Sequence, residues 1–219
     1  WPDYKELLAD GVSKYPANPT LLYLKAISIK EGLDDTESIR LLERAVELDP
    51  SFLDPWFGLV VDFLSIGDLK KSDNALNKLL TEGAVSEEIM DYNYNVISLL
   101  EKNSILITNG DNDTYPAWIL TKIIKYRPDI TIVNRSLLNT EWYPIYLIKN
   151  EGIPDFIIEN ELKMFRENIF SEIKEGRYQM SETGPFSDSL LSKIIMAAKA
   201  DKRPTYLAST VFQTGIIKN

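Results

Sequence analysis

Residues 103–139, NSILITNGDNDTYPAWILTKIIKYRPDITIVNRSLLN, decide the fold. Residues 104–108 (SILIT) form a short β-branched apolar run bounded by polar residues, the pattern of a strand buried on both faces. Residues 114–126 then bring Trp118, Ile119, Ile123 and Tyr126 to one face at helical spacing. Residues 129–134 (DITIVN) read as a second strand, and a helix is expected from about Thr140 with Asn139 or Thr140 as its cap. Strand, helix and strand in this order imply a right-handed crossover and a parallel pair.

Toward the C-terminus, residues 159–175 carry an amphipathic helical pattern and residues 176–185 read as a polar loop with turn signals. Together, residues 151–185 are expected to form an insertion covering one face of the sheet. Residues 186–200 give another helix, capped by Ser187 or Asp188, and residues 204–210 (PTYLAST) a third parallel strand. The tail, residues 211–219, fits no pattern, and one more strand is expected beyond Asn219.

Toward the N-terminus the pattern changes. At an offset of 34, Pro16 recurs as Pro50, Leu7 aligns with Leu41 and Ala75, Leu8 with Leu42 and Leu76, and Val12 with Val46. A period of 34 built from helix pairs is the tetratricopeptide signature. One repeat places Leu22, Ala26, Ser38, Leu42, Ala45 and Pro50; the next places Trp56, Leu59, Val60, Ser72, Leu76 and Leu79. Small residues at Ala26, Ser38 and Ala45 let paired helices approach closely. Residues 1–100 therefore resemble the tetratricopeptide repeat family, with Gly11 and Leu79 standing where it usually has alanine and Ala84 in place of the closing proline. Residues 3–15 match only the second helix of a repeat, so a partner helix is expected upstream of Trp1. Asn18 before Pro19 and Asp54 before Pro55 read as N-caps; Gly32, Gly67 and Gly83 read as helix stops; Ser86 opens a last helix over residues 87–100 that closes the solenoid. The expected organisation is helical repeats over 1–102, followed by a Rossmann-like three-layer α/β domain with a parallel sheet over 103–219.

Composition narrows the chemistry. The 219 residues contain neither histidine nor cysteine, which removes zinc-hydrolase chemistry, His-dependent triads and disulfides within this chain. The net charge of -9 sits in residues 1–103, with 19 acids against 10 bases; residues 104–219 balance 14 against 14. No basic stripe suits a nucleic-acid backbone. No apolar run reaches the roughly 18 residues of a membrane span.

In an open parallel sheet, ligands bind at the carboxyl ends of the strands. Asn109, Gly110, Asp111, Asn112, Asp113 and Thr114 fall there after the first strand, Asn134, Arg135, Ser136, Asn139 and Thr140 after the second, and Ser209 and Thr210 after the third. Gly110 permits a tight turn, and the amides opening the next helix suit an anion. Asp111 and Asp113 form an Asp-x-Asp pair that holds a divalent metal with a nucleotide-sugar in many glycosyltransferases. The competing explanation is local order: Asp113 or Thr114 ahead of Pro116 is a helix N-cap, while Asp111 has no local task. Glu141 would be a second carboxylate for a paired mechanism, though no spacing supports it. Tyr92, Tyr94, Tyr115, Trp118, Trp142 and Tyr143 suggest either a carbohydrate-stacking surface or core, and core is expected. No catalytic set is complete.

The strings NGDNDTYPAW (109–118), RPD (127–129), VN (133–134), SLLNTEWY (136–143) and KRPTYLA (202–208) are similar to the soluble C-terminal region of a bacterial family of multi-spanning membrane proteins. That family, largely from the Bacteroidetes group, is distantly related to protein O-mannosyltransferases and often carries tetratricopeptide helices. The resemblance covers most of residues 88–148 and 200–208. It implies transferase chemistry in a membrane portion that this chain lacks, and an extracytoplasmic, periplasm-facing location. The expectation is a non-enzymatic interaction or scaffold module, its protein partner held by the helical repeats and its membrane portion elsewhere. The alternative is a glycosyltransferase-related domain binding a sugar-nucleotide or glycan at Asp111 and Asp113.

Overall fold

In the computed structural model, residues 2–29, 35–177 and 186–211 are described. The expected stop at Gly32, most of the loop over 176–185 and the tail over 212–219 lie outside them. The molecule is mostly helical, with ten α-helices among the described residues and a small parallel sheet. Two compact units divide between Val85 and Ser86.

The first unit contains α1 (Pro2–Lys14), α2 (Pro19–Ile29), α3 (Asp35–Leu48), α4 (Asp54–Ser65) and α5 (Leu69–Thr81), each packed on the next. Its core uses the repeat positions: Leu22, Ala26, Ser38, Leu42, Ala45, Leu59, Val60, Ser72, Leu76 and Leu79 are all buried. Two of these are hydroxyls in an apolar setting, and each has a partner. Ser38 donates to an Asp62 carboxylate oxygen at 3.2 Å, and Ser72 to the Val60 carbonyl at 2.9 Å. Asn18 caps α2 as expected, accepting the Leu21 amide at 3.1 Å. Asp54 does not cap α4: it lies inside the first turn, where its charge suits the helix dipole, and Leu53 is the N-cap. Asp68 caps α5 by accepting from the Lys71 amide. Gly67 and Gly83 follow helices at φ 77° and 66°, backbone that other residues resist.

The second unit is built on β1 (Ile105–Thr108), flanked by β2 (Thr131–Asn134) and β3 (Thr205–Leu207) in the order β2-β1-β3. Both pairings are parallel, with Ile105 opposite Thr131 and Thr205. The strands are shorter than expected, β1 by its first residue, β2 by its first two and β3 at both ends. Around them lie α6 (Glu87–Ser98), α7 (Asp111–Trp118), α8 (Tyr143–Asn150), α9 (Glu159–Lys174) and α10 (Ser187–Ala200). Ser86 caps α6 as expected. However, α6 belongs to this unit and packs on α7, whereas its place in the sequence reads as the close of the repeats.

The first crossover helix differs from expectation at both ends. It begins at Asp111, not Thr114, with Gly110 as N-cap, and ends in a π turn, Ile119–Ile123. Around this turn the Thr121 hydroxyl donates to the Ala117 carbonyl at 2.8 Å, and the Ile124 amide reaches five residues back to the Ile119 carbonyl at 2.9 Å. Starting at Asp111 also puts Pro116 inside the helix, where it cannot donate to the Asn112 carbonyl. Asn93 of α6, only 2% exposed, fills that vacancy: its Nδ2 donates to the Asn112 carbonyl at 2.9 Å.

After β2 the chain makes a 3₁₀ turn, Ser136–Asn139, before α8 starts at Tyr143, so the helix expected from Thr140 begins later. Thr140 still assists, its hydroxyl oxygen lying 3.4 Å from the Tyr143 amide. The α10 N-terminus is not capped by Ser187 or Asp188; Asn139 accepts the Phe186 and Ser187 amides at 3.0 and 3.2 Å.

Candidate functional site

The carboxyl ends of β1, β2 and β3 do gather the expected polar residues, but at unequal depth. Asp113, Thr114 and Asn134 are buried; Asn109, Gly110, Asn139 and Thr140 are half-buried; Asp111, Asn112, Ser136, Ser209 and Thr210 are exposed. A solute meets the last set first.

The buried group is a closed hydrogen-bond network. Thr114 Oγ1 lies 2.8 Å from Thr108 Oγ1 and accepts from Asn134 Nδ2 at 2.9 Å. Asn134 Oδ1 accepts the Leu137 amide at 3.0 Å, which fixes the 3₁₀ turn. The Asn134 amide donates to the phenol oxygen of fully buried Tyr143, whose acidity burial suppresses most strongly, so that it stays a neutral phenol. Ser136 donates to the Asn109 carbonyl at 3.0 Å, tying the two strand-end loops together.

The Asp-x-Asp pair splits into two different groups. Asp113, 3% exposed, accepts the Gly110 amide on Oδ1 at 2.8 Å and the Asn109 amide on Oδ2 at 2.9 Å, with the Thr210 hydroxyl also donating to Oδ2. It is the third helical residue reaching back over the N-terminus, so its carboxylate is committed to ordering the loop. A cation at Asp113 would compete with all three donors. Asp111 is exposed and accepts no hydrogen bond among the described residues. Partial desolvation, then the neighbouring Asp113 charge, push its carboxyl above the usual range. Among the described residues, no group of three or more His, Cys, Asp or Glu side chains is placed to hold a metal ion. Glu141 is exposed and faces Arg166, with Oε1 3.7 Å from Nε.

Four arginines surround this edge or brace the opposite one. Arg135, 1% exposed, pairs with Asp188 at the start of α10. Arg166 of α9 donates to the Asn139 and Thr140 carbonyls at 2.9 and 3.3 Å, and its guanidinium lies 4.1 Å from the Phe186 ring centroid. Desolvation lowers its pKa, partly offset by Glu141. Arg127 forks onto Asp129 at 2.9 Å through both Nε and Nη2, and reaches the Ile97, Leu100 and Glu101 carbonyls at the end of α6. Arg203 donates to the Asn103 carbonyl at 2.7 Å and the Gly152 carbonyl at 2.8 Å, and also bonds Thr131. The RPD and KRP strings are thus clamps that fix where β1, β2 and α6 begin or end.

Of the six aromatics, Tyr115, Trp118 and Tyr143 are core, Trp142 is half-buried, and Tyr92 and Tyr94 are exposed. Tyr94 stacks on Tyr126 at 4.4 Å, and Tyr92 Oη lies 2.8 Å from Ser209 Oγ. Sequence reasoning missed Asn93 and Arg166. Asn93 had one usable signal, a polar residue on the inward face of α6; Arg166 had none in its spacing.

No helix among the described residues is long and apolar enough to cross a membrane. No curated protein and no solved structure matches the chain. The family described as TMEM260-associated domain 2 matches residues 89–151, well under half of the chain and spanning α6 through α8. Over that segment the chain is loosely similar to a TMEM260-like, O-mannosyltransferase-related family.

Proposed function

We propose that the chain is a non-enzymatic protein-interaction or scaffold module of a larger extracytoplasmic envelope protein. In this reading the first unit consists of tetratricopeptide-type hairpins that receive a protein partner, and the second is a small Rossmann-like domain. The observation that carries it is the commitment of the strand-end polar groups. Asp113, Thr114, Asn134 and Asn139 bond to backbone amides and to one another, so they hold the loops and the α10 N-terminus rather than a reacting group. Burial of Ala26, Ser38, Leu42 and Ala45 at the repeat positions supports the hairpin assignment.

One observation favours a second reading, a sugar-nucleotide or glycan site at Asp111 and Asp113: Asp111 has an exposed carboxylate with no hydrogen bond among the described residues and a raised pKa. A thermal-shift titration with nucleotide-sugars, with and without Mn²⁺, on the natural sequence and Asp111→Ala separates the two. The scaffold reading expects no ligand-dependent shift in melting temperature in either protein; stabilisation of the natural sequence alone by a ligand would establish the second.

A further inference from the structure

Immediately after β3 the chain crosses the carboxyl end of the sheet. The Ala208 amide donates to the Ile107 carbonyl at 2.9 Å, the last rung of the ladder, and the Val211 amide returns to the Ala208 carbonyl at 2.9 Å. This closes a four-residue turn. Its ends, Ala208 and Val211, are buried, while Ser209 and Thr210 at its tip are exposed. The two tip hydroxyls engage different elements: Ser209 meets Tyr92 on α6 at 2.8 Å, and Thr210 donates to Asp113 at the start of α7.

We propose that this turn is a clasp over the strand ends, and that its release turns Asp113 from a shielded capping carboxylate into one facing solvent beside Asp111. Three features point to a separately opening element. Among the described residues, the tip of the clasp is held by its two side-chain hydroxyls. One of these contacts is neutral and solvent-exposed, hence weak; the other is charge-assisted. The Asn109 and Gly110 amides remain on Asp113 when Thr210 leaves, so α7 keeps its N-terminal support and opening stays local. A solute that bonds Asp113 Oδ2 displaces Thr210, so binding and clasp opening are linked, and such a solute selects the open form.

The test is carboxyl labelling of the full chain with a carbodiimide and an amine, read residue by residue by mass spectrometry. Four proteins are compared: the natural sequence, Tyr92→Phe, Thr210→Val and Thr210→Ser. Asp111 is expected to label quickly and equally in all four. Asp113 should label slowly in the natural sequence and in Thr210→Ser, which keeps the hydroxyl. Thr210→Val should raise its rate roughly fivefold or more, the effect of losing one net hydrogen bond, and Tyr92→Phe should raise it by a smaller factor because its contact is neutral and exposed. In the natural sequence the Asp113 rate should be insensitive to low urea, as local opening requires. Equal Asp113 rates in all four proteins would overturn the proposal. So would an Asp113 rate that climbs with urea in step with amide exchange at Ile107, because exposure would then follow global unfolding.

Discussion

Replacing Arg127 with methionine should weaken the second unit by about 2–3 kcal/mol, a figure that follows from the hydrogen bonds its guanidinium makes. Arg127 makes two bonds of 2.9 Å to Asp129 and three of 3.0–3.3 Å to the Leu100, Glu101 and Ile97 carbonyls. The ion pair is partly exposed, 22% for arginine and 35% for aspartate, so after screening it contributes about 1 kcal/mol. The carbonyl bonds satisfy the end of α6 and add about 1–2 kcal/mol together. Arg127 sits at φ 50°, but methionine carries the same backbone penalty, so the comparison isolates the side chain. Bonding by Arg127, and then the Asn103 amide, hold the Asp129 carboxyl well below the usual range. A depressed acid stabilises the fold above its unfolded pKa of about 3.9, and that contribution is lost as pH falls below it toward the folded value. Urea unfolding of the natural sequence, Arg127→Met, Asp129→Asn and the double variant at pH 7 and pH 3 measures this, with amide exchange over residues 97–104 locating the effect. The Arg127–Asp129 coupling should be about 1 kcal/mol at pH 7 and smaller at pH 3. A loss under about 0.5 kcal/mol for Arg127→Met, or a coupling that ignores pH, would refute the clamp.

Asp111→Asn should leave the melting temperature at pH 7 equal to or above that of the natural sequence. A raised acid penalises the fold when ionised, so any gain should vanish as both proteins are taken below about pH 3; destabilisation at pH 7 would show Asp111 to be structural. Asn93→Leu should cost about 1–2 kcal/mol in denaturant melts, and appreciably less in a Pro116→Ala background, where the restored amide reaches the Asn112 carbonyl. Equal costs in the two backgrounds would separate Asn93 from the proline. Asn139→Ala should cost about 1–2 kcal/mol and speed amide exchange at Phe186 and Ser187 in the first turn of α10, because both amides lose their acceptor.

What was legible in the sequence was whatever depends on neighbouring residues. The β-branched runs at 104–108 and 129–134 became strands, most side chains picked out by the 34-residue spacing are buried although Leu7, Pro16 and Pro50 are exposed, and Asn18 and Ser86 capped the helices they precede. What failed depends on which partner a polar side chain takes, near or far in the chain. Asp113 reads as an N-cap by position, yet its carboxylate folds back onto Asn109 and Gly110, which moves the helix start to Asp111 and traps Pro116 inside. That arrangement holds because Asn93, from another helix, takes the stranded carbonyl. Likewise Asn139 reads as a cap for the helix that follows it and caps α10 instead. The polar residues that the sequence places after the strands do lie at the strand ends, while the depth of each, which separates Asp111 from Asp113, emerges only from the packing.

In the reading proposed above, Asp113 orders the strand-end edge and does not join Asp111 in holding a metal for transfer chemistry. Mn²⁺ titration of the ¹⁵N-labelled chain, followed by paramagnetic line broadening, addresses it directly. Amides at 110–114 should broaden no more than those beside other exposed acids such as Glu47 and Glu82. Broadening at substoichiometric Mn²⁺ centred on Asp111 and Asp113, and abolished in Asp111→Ala, would contradict it.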